Sequence, residues 1–276
     1  METNFKRVSQ KFLLKIPMMD QQIKKYFPIP TQTSQEDKIV ILKINNLISS
    51  KIKNFIYIEI GSYLGGSLTP FLINNNCKKV ISIDHRNQIL DDERNENWSY
   101  EKITEIMMLK KLKSLNLNVS KLKMFNGDIS HYKTKNKYDL AFIDGIHTDK
   151  NTFSDFLYVL DGFKKNSIII FHDSVLIYKA LILINEFLKK NNYTFRIIKF
   201  RNSGITGIFF GSFSKINFTK KIFPVENFQK FCESARENLL IQQLNNRIDV
   251  KFKISRFFKN KFPYKFSIKS KKKNLV

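Results

Sequence analysis

Acidic residues are scarce in this chain: 24 Asp and Glu stand against 48 Lys and Arg in 276 residues, a formal net charge of +24. Such an excess suits nucleic acid or an anionic surface. Lys, Asn and Ile recur along the whole length, however, so part of the charge reflects biased composition. Cysteine is nearly absent. Cys77 and Cys232 stand alone, which excludes a disulfide framework and a zinc-ligand pattern and predicts a reducing, cytoplasmic setting. Long apolar runs are missing too. The most apolar stretch, Val175 to Ile184, is interrupted by Lys179 and falls short of the ~20 residues that a membrane span needs. The segment Lys11 to Asp20 is too short and too broken for a secretory signal. What remains, at 42% hydrophobic residues, is ample for one α/β domain with extensions.

The organising stretch is Tyr57-Ile-Glu59-Ile-Gly61-Ser62-Tyr63-Leu-Gly65-Gly66-Ser67. Its apolar run from Phe55 to Ile60 is rich in β-branched and aromatic residues and reads as a buried strand. Glycines at 61 and 65 let the backbone approach a ligand closely. Gly66-Ser67 opens a helical segment whose free N–H groups would face that ligand. The same residues also read as an ordinary strand-to-helix turn. Dinucleotide sites use G-x-G-x-x-G, whereas position 63 here is Tyr and the spacing is G-x-x-x-G. An acid followed by G-x-x-x-G at the end of a first strand resembles motif I of the class I S-adenosylmethionine-dependent methyltransferases. The resemblance implies cofactor contacts from Glu59, Gly61, Ser62, Tyr63, Gly65 and Ser67.

Along the chain, residues 1–33 lack clear periodicity and end in a Pro-bounded extended segment. Ser34 with Asp37 reads as a helix start, and Val40, Ile44, Leu47 and Ile48 keep helical spacing. After the glycine turn, Leu68 to Ile73 reads as helix and Lys79 to Asp84 as the second strand. An acid about 20 residues beyond such a turn is where nucleotide folds hold ribose hydroxyls, so Asp84 is the ribose candidate, with a helix cap as the bland alternative. Arg86 to Trp98 is polar and irregular; Tyr100 to Leu115 is helical. Leu122 to Asp128 forms the third strand and its turn, and Tyr138 to Asp144 a fourth strand, with His147 just beyond. A helix carrying Phe153, Phe156, Leu157 and Leu160 comes next. Ser167 to Phe171 is a strand ending in His172-Asp173, followed by a helix from Val175 to Leu188. Two strands, Thr194 to Phe200 and Ser203 to Gly211, close the pattern. This alternation predicts an α/β, Rossmann-like, mostly parallel seven-stranded sheet with helices on both faces. The closely spaced last pair fits the reversed final strand of the methyltransferase fold.

Ligands in open α/β sheets sit beyond the carboxyl ends of the strands. Glu59, Asp84, Asp128, Asp144 and Asp173 all fall there, with His147 and His172 among them. Solvation alone is a poor reason for that clustering. Asp144, His172 and Asp173 could hold one divalent ion, Mg²⁺ first, with imidazole widening the choice toward Mn²⁺. His147, with an ordinary pKa of about 6.5, suits a general base for a hydroxyl lying on that metal. The alternatives are structural: His147, His172 and Asp173 also read as caps of the helices that follow them.

Phe-Ile-Asp144-Gly-Ile-His147 and Ile-Ile-Phe-His172-Asp173 resemble signatures of metal-dependent O-methyltransferases of the macrocin, or sugar, type. That resemblance spans residues 55–212. It implies Mg²⁺ on Asp144 and Asp173, His147 as base, Asp128 near the adenine, and a sugar or other small-molecule hydroxyl as acceptor. His172 departs from it, because relatives often carry another acid there. Domain boundaries are expected at 1–35 (arm or cap), 36–215 (methyltransferase domain) and 216–276 (extension). From Arg247 to Lys273 eleven cations face a single acid, Asp249, and Lys251 to Phe266 interleaves aromatics with them. The pattern suits an anionic membrane surface, here the inner one, or a solvated tail. An NAD-dependent oxidoreductase is the main alternative. A nucleic-acid methyltransferase would show an Asn/Asp-Pro-Pro-Tyr or Pro-Cys signature, so no nucleic-acid partner is expected. A non-catalytic binding protein would not need the strand-end acids together with His147. Oligomeric state is open.

Overall fold

Apolar runs that end in an acid became the central strands of the structure, a computed structural model that describes residues 16–86, 89–218 and 224–261. In chain order the elements are α1 (Ile16–Tyr26), α2 (Gln35–Lys51), β1 (Phe55–Ile60), α3 (Thr69–Ile73), β2 (Cys77–Asp84), β3 (Ile89–Asp91) and β4 (Asn97–Ser99). There follow α4 (Glu105–Ser114), β5 (Leu122–Asn126), β6 (Tyr138–Ile143), α5 (Asp149–Asp161), β7 (Phe163–Phe171) and α6 (Tyr178–Lys190). The chain continues with β8 (Phe195–Phe200), β9 (Thr206–Phe210), β10 (Val225–Glu226) and α7 (Phe228–Lys261).

The main sheet has 8 strands in the order β10-β8-β9-β7-β6-β1-β2-β5. The expected seven are all present, and the two-residue β10 adds an antiparallel edge. β1, β2, β5, β6 and β7 pair in parallel. β9 runs antiparallel to both β7 and β8, because the short turn after Phe200 leaves no room for a crossover. Side chains alternate across β1: Phe55 and Tyr57 enter one core layer, Ile58 and Ile60 the other. Tyr57 stacks on Phe71 at 3.6 Å between ring centroids. Ile41, Ile44 and Ile48 of α2 are fully buried in the first layer, and each contributes roughly 1.5–3 kcal/mol.

Several sequence expectations are corrected. The expected arm is partly structure: α1 forms there, and Phe27 and Ile29 are buried in the first core layer. Arg86 to Trp98 is not irregular, since β3 and β4 form a hairpin around Asp92. Asp92 accepts from the Arg94 backbone N–H at 2.7 Å and from Trp98 Nε1 at 2.9 Å. The helix after the glycine turn begins only at Thr69, with Pro70 in its first turn, so Gly66-Ser67 is not a helix N-terminus. The extension after residue 215 joins the domain through β10 and through α7, whose Phe231, Cys232, Ala235 and Leu239 enter the second core layer. Residues 251–261 continue α7. The rest of the basic aromatic tail lies outside the described residues. No helix among those described is long and apolar enough to cross a membrane.

Candidate active site

A cavity of about 500 Å³ opens at the carboxyl ends of the parallel strands. Its walls include Asp84 after β2, Asp128 after β5, Asp144 after β6, and His172 and Asp173 after β7. Gly61 and Tyr63 supply the β1 side, and His147 stands beside Asp144. Glu59, Ser62, Gly65 and Ser67, four of the expected cofactor contacts, lie beneath this wall.

Glu59 is fully buried. It accepts from Ser67 Oγ at 2.6 Å and from the Tyr57 hydroxyl, bracing the turn from below. Burial pushes its carboxyl up to about 8, against the pull of those two hydrogen bonds. Gly61 lines the cavity, but its conformation (φ +81°) and lack of Cβ answer to the Asp144 carbonyl, which a side chain would overlap. A Cβ on Gly65 (φ +82°) would come within 3.0 Å of the Met108 side chain. Ser62 Oγ bonds Ser82 Oγ at 2.9 Å, away from the opening. The glycine pattern is therefore a packing requirement of the turn as much as a ligand approach.

Asp84 carries two tasks. Its Oδ2 accepts the backbone N–H groups of Ser62 at 2.8 Å and Tyr63 at 2.7 Å, and Arg86 Nη2 lies 3.7 Å away. Among the described residues no hydrogen bond engages Oδ1. Asp128 caps the short 3-10 turn Ile129–His131, accepting the Ser130 N–H at 2.7 Å. Bonding to Ser130, through its side chain first and then its backbone, holds the carboxyl below the usual carboxylate range.

The charged cluster is tighter than the sequence implied. His147 lies between two carboxylates, with Nε2 at 3.1 Å from Asp144 Oδ1 and Nδ1 at 3.2 Å from Asp173 Oδ2. Burial pulls this imidazole toward neutrality, but Asp144 and then Asp173 outweigh it, and the pKa is raised. His172 is buried, with Nδ1 2.9 Å from Asp144 Oδ1 and Nε2 3.2 Å from Asp37 Oδ2. Despite that short distance the Nδ1 position is not aimed at the carboxylate and has no hydrogen-bond partner. Burial again lowers and Asp144, Asp37 and Asp173 raise, leaving His172 well above its ordinary value. Ligating atoms of Asp144, His147 and His172 come within 4.8 Å of one another, enough for one cation. This differs from the expected set of Asp144, His172 and Asp173 by exchanging Asp173 for His147. Asp173, in a left-handed conformation at φ +47°, instead meets the His147 ring. The orphaned, buried Nδ1 of His172 beside a carboxylate is a fit for a metal ion with N and O ligands.

Sequence reading assigned Asp37 only to a helix cap. The capping box is there, with Ser34 N–H to Asp37 Oδ2 at 3.0 Å and Asp37 N–H to Ser34 Oγ at 3.1 Å. The same carboxylate also accepts from Ser203 Oγ and the Gly204 N–H, each at 2.7 Å, and meets His172. Burial raises its pKa, but His172, Ser34 and Ser203 hold it far below the ordinary carboxylate value. Nothing in the sequence connects position 37 with 172 or 203. Also missed were Arg94, Trp98 and Tyr100, which wall the open side of the cavity. Tyr63 meets Tyr100 edge-on at 5.7 Å and Arg94 lies over Trp98 at 5.3 Å.

A doubly covered parallel sheet with one reversed strand, and a cavity over its carboxyl ends, is the class I methyltransferase architecture. Residues 58–174 match the family model described as a methyltransferase domain. The match runs from within β1 to just past β7, across the strands that frame the cavity. Among solved structures, the O-methyltransferase NovP aligns with a TM-score of 0.50 at 12% identity, covering 70% of this chain and 96% of its own. TomG from Streptomyces achromogenes gives 0.48 at 12% over 77% of this chain and 100% of that one. The calicheamicin methyltransferase CalS11 gives 0.48 at 14%, over 74% and 96%. At such identities the likeness is one of fold. No curated protein sequence matches the chain.

Proposed function

We propose that the protein transfers a methyl group from S-adenosylmethionine to the hydroxyl of a small molecule, a sugar or glycoside first, with a divalent cation at the Asp144 cluster and His147 as proton acceptor. The observation that carries this reading is the convergence of Asp144, His147, His172 and Asp173 on one wall of the cavity that Asp84 and Asp128 also line. It joins a ribose-type acid to a proton-handling cluster. O-methylation as the reaction is further suggested by the likeness in fold to NovP, an O-methyltransferase. The sugar acceptor rests on the sequence resemblance.

Asp84 would hold the ribose through its unengaged oxygen. Asp144 and His172 would hold the cation, with Asp173 completing the set, which leaves His147 free to take the proton. Two carboxylates with one imidazole suit Mg²⁺ or Mn²⁺. When bound, such an ion lowers the pKa of an acceptor hydroxyl and fixes its oxygen. In the cluster as it stands Asp144, and then Asp173, favour the protonated form of His147. It becomes a base only when the charge of Asp144 and Asp173 is neutralised. The acceptor oxygen then takes the methyl carbon as the S–CH₃ bond breaks, the hydroxyl proton passes to His147, and positioning supplies most of the rate.

The test is calorimetric titration of S-adenosylmethionine and S-adenosylhomocysteine into the protein, with Mn²⁺, with Mg²⁺ and with chelator. Micromolar binding that is lost in Asp84→Ala is expected, as is a separate metal-binding signal lost in Asp144→Ala. Binding of NAD instead of either adenosyl compound would overturn the reading.

A further inference from the structure

Asp155 is a buried carboxyl on the cavity wall that nothing above uses. It lies on α5 with Asn151 and Ser154, which reach the same cavity from the same helix face. It is 9% exposed, and among the described residues it has no hydrogen bond or ion pair. Its Oδ2 sits over the bare Cα of Gly145, 3.4 Å from where a Cβ would project. A buried carboxyl without a partner costs stability unless something in the cavity meets it.

The topology indicates what that something is. Asp84, at the tip of β2, is the ribose position, and β5 is the next strand outward. A base attached to that ribose falls among Gly127, Asp128, Ile129 and the facing Gly145. The helix α5 packs against the turn Ile129–His131 and brings Asp155 to that place. Ile83, Ile129 and Ile146 also line the cavity and offer apolar surface to a flat ring. We infer that Asp155 reads the adenine of the cofactor, its carboxyl accepting from the 6-amino group and donating to the adjacent ring nitrogen. This inference rests on the methyltransferase reading above. Donating requires a neutral acid. Burial, and then the charge of Asp128, push Asp155 up to about 7, while Asp128 itself stays ionised.

The experiment measures binding of S-adenosylhomocysteine, and of its analogue with purine in place of adenine, to the full chain and to Asp155→Leu and Asp155→Asn. In the unsubstituted protein, loss of the amino group is expected to weaken binding roughly tenfold, the usual cost of a buried unpaired partner. In Asp155→Leu that penalty should vanish, while adenine binding itself falls by a similar factor. Asp155→Asn, which keeps a donor and an acceptor, should restore discrimination. A merely structural Asp155 would weaken both ligands equally and leave the penalty intact, which overturns the inference and spares the methyltransferase reading. No binding of S-adenosylhomocysteine by the unsubstituted protein overturns both.

Discussion

His147 places Nε2 3.1 Å from Asp144 Oδ1 and Nδ1 3.2 Å from Asp173 Oδ2, so each nitrogen faces a carboxylate. On the proposed reading, a histidine so placed serves proton transfer through its neighbours' charge state. His147→Gln keeps a polar side chain of similar reach but cannot take a proton. On the proposed reading its kcat should fall by roughly 10²–10⁴, with affinity for S-adenosylhomocysteine nearly unchanged. Single-turnover methyl transfer and calorimetry, run on the same preparation, separate the two effects. The histidines were legible in the sequence because each follows an apolar strand. Their clasp was not, because Asp37 reaches His172 across 135 positions of chain. A helix cap with a second partner of that kind leaves no local pattern.

At the scale of elements, the hairpin β3–β4 is held over the cavity by the C-terminal helix. Gln243 Nε2 donates to the Glu93 carbonyl at 2.6 Å, and Asn246 Nδ2 to the Arg94 carbonyl at 2.9 Å. The two contacts fix the loop that presents Arg94 and Trp98. Replacing both residues by Ala removes about 0.5–1.5 kcal/mol per bond from the local restraint and little from the core. Hydrogen exchange of amides 89–99 should speed up several-fold, while the unfolding midpoint of the whole chain barely moves. A fall of the midpoint in step with the exchange would show that α7 is part of the global fold unit. The hairpin escaped the sequence analysis because its strands are only three residues long, too short to show an alternating pattern. Its turn is made by Asp92 side-chain bonds, and hydrophobic alternation plays no part. The helix after the glycine turn was placed too early for a related reason. Residues 61–67 are spent on contacts with Asp84, Glu59 and the strand ends, and helical bonding starts only at Thr69.

For the whole molecule, Glu59 links stability to pH. Its carboxyl titrates at about 8 when folded against an ordinary 4.5. Between those values the unfolded chain has lost a proton that the native state keeps, so this group's contribution falls as pH rises through the window. Glu59→Gln has no such titration. The variant should gain on the parent as pH climbs from 4.5 to about 8, with a difference on the order of 1 kcal/mol or more at the upper end. Urea-unfolding midpoints across that range check it, and a constant difference would refute the assignment.

By itself, the sequence determined the sheet and its order of events. Runs such as Phe55–Ile60, Tyr138–Ile143 and Ser167–Phe171 are apolar enough to be buried on both faces, and the acids at their ends mark the side where a ligand sits. That information is local and periodic, so it survives without coordinates. Only the tertiary structure decided which polar residues meet. It sent Glu59 beneath the turn, gave Asp37 to His172, set His147 between two carboxylates, and brought Asp155 to the cavity wall. Those pairings depend on how distant elements pack, and the strength of each depends on burial, which has no signature in a linear string of residues.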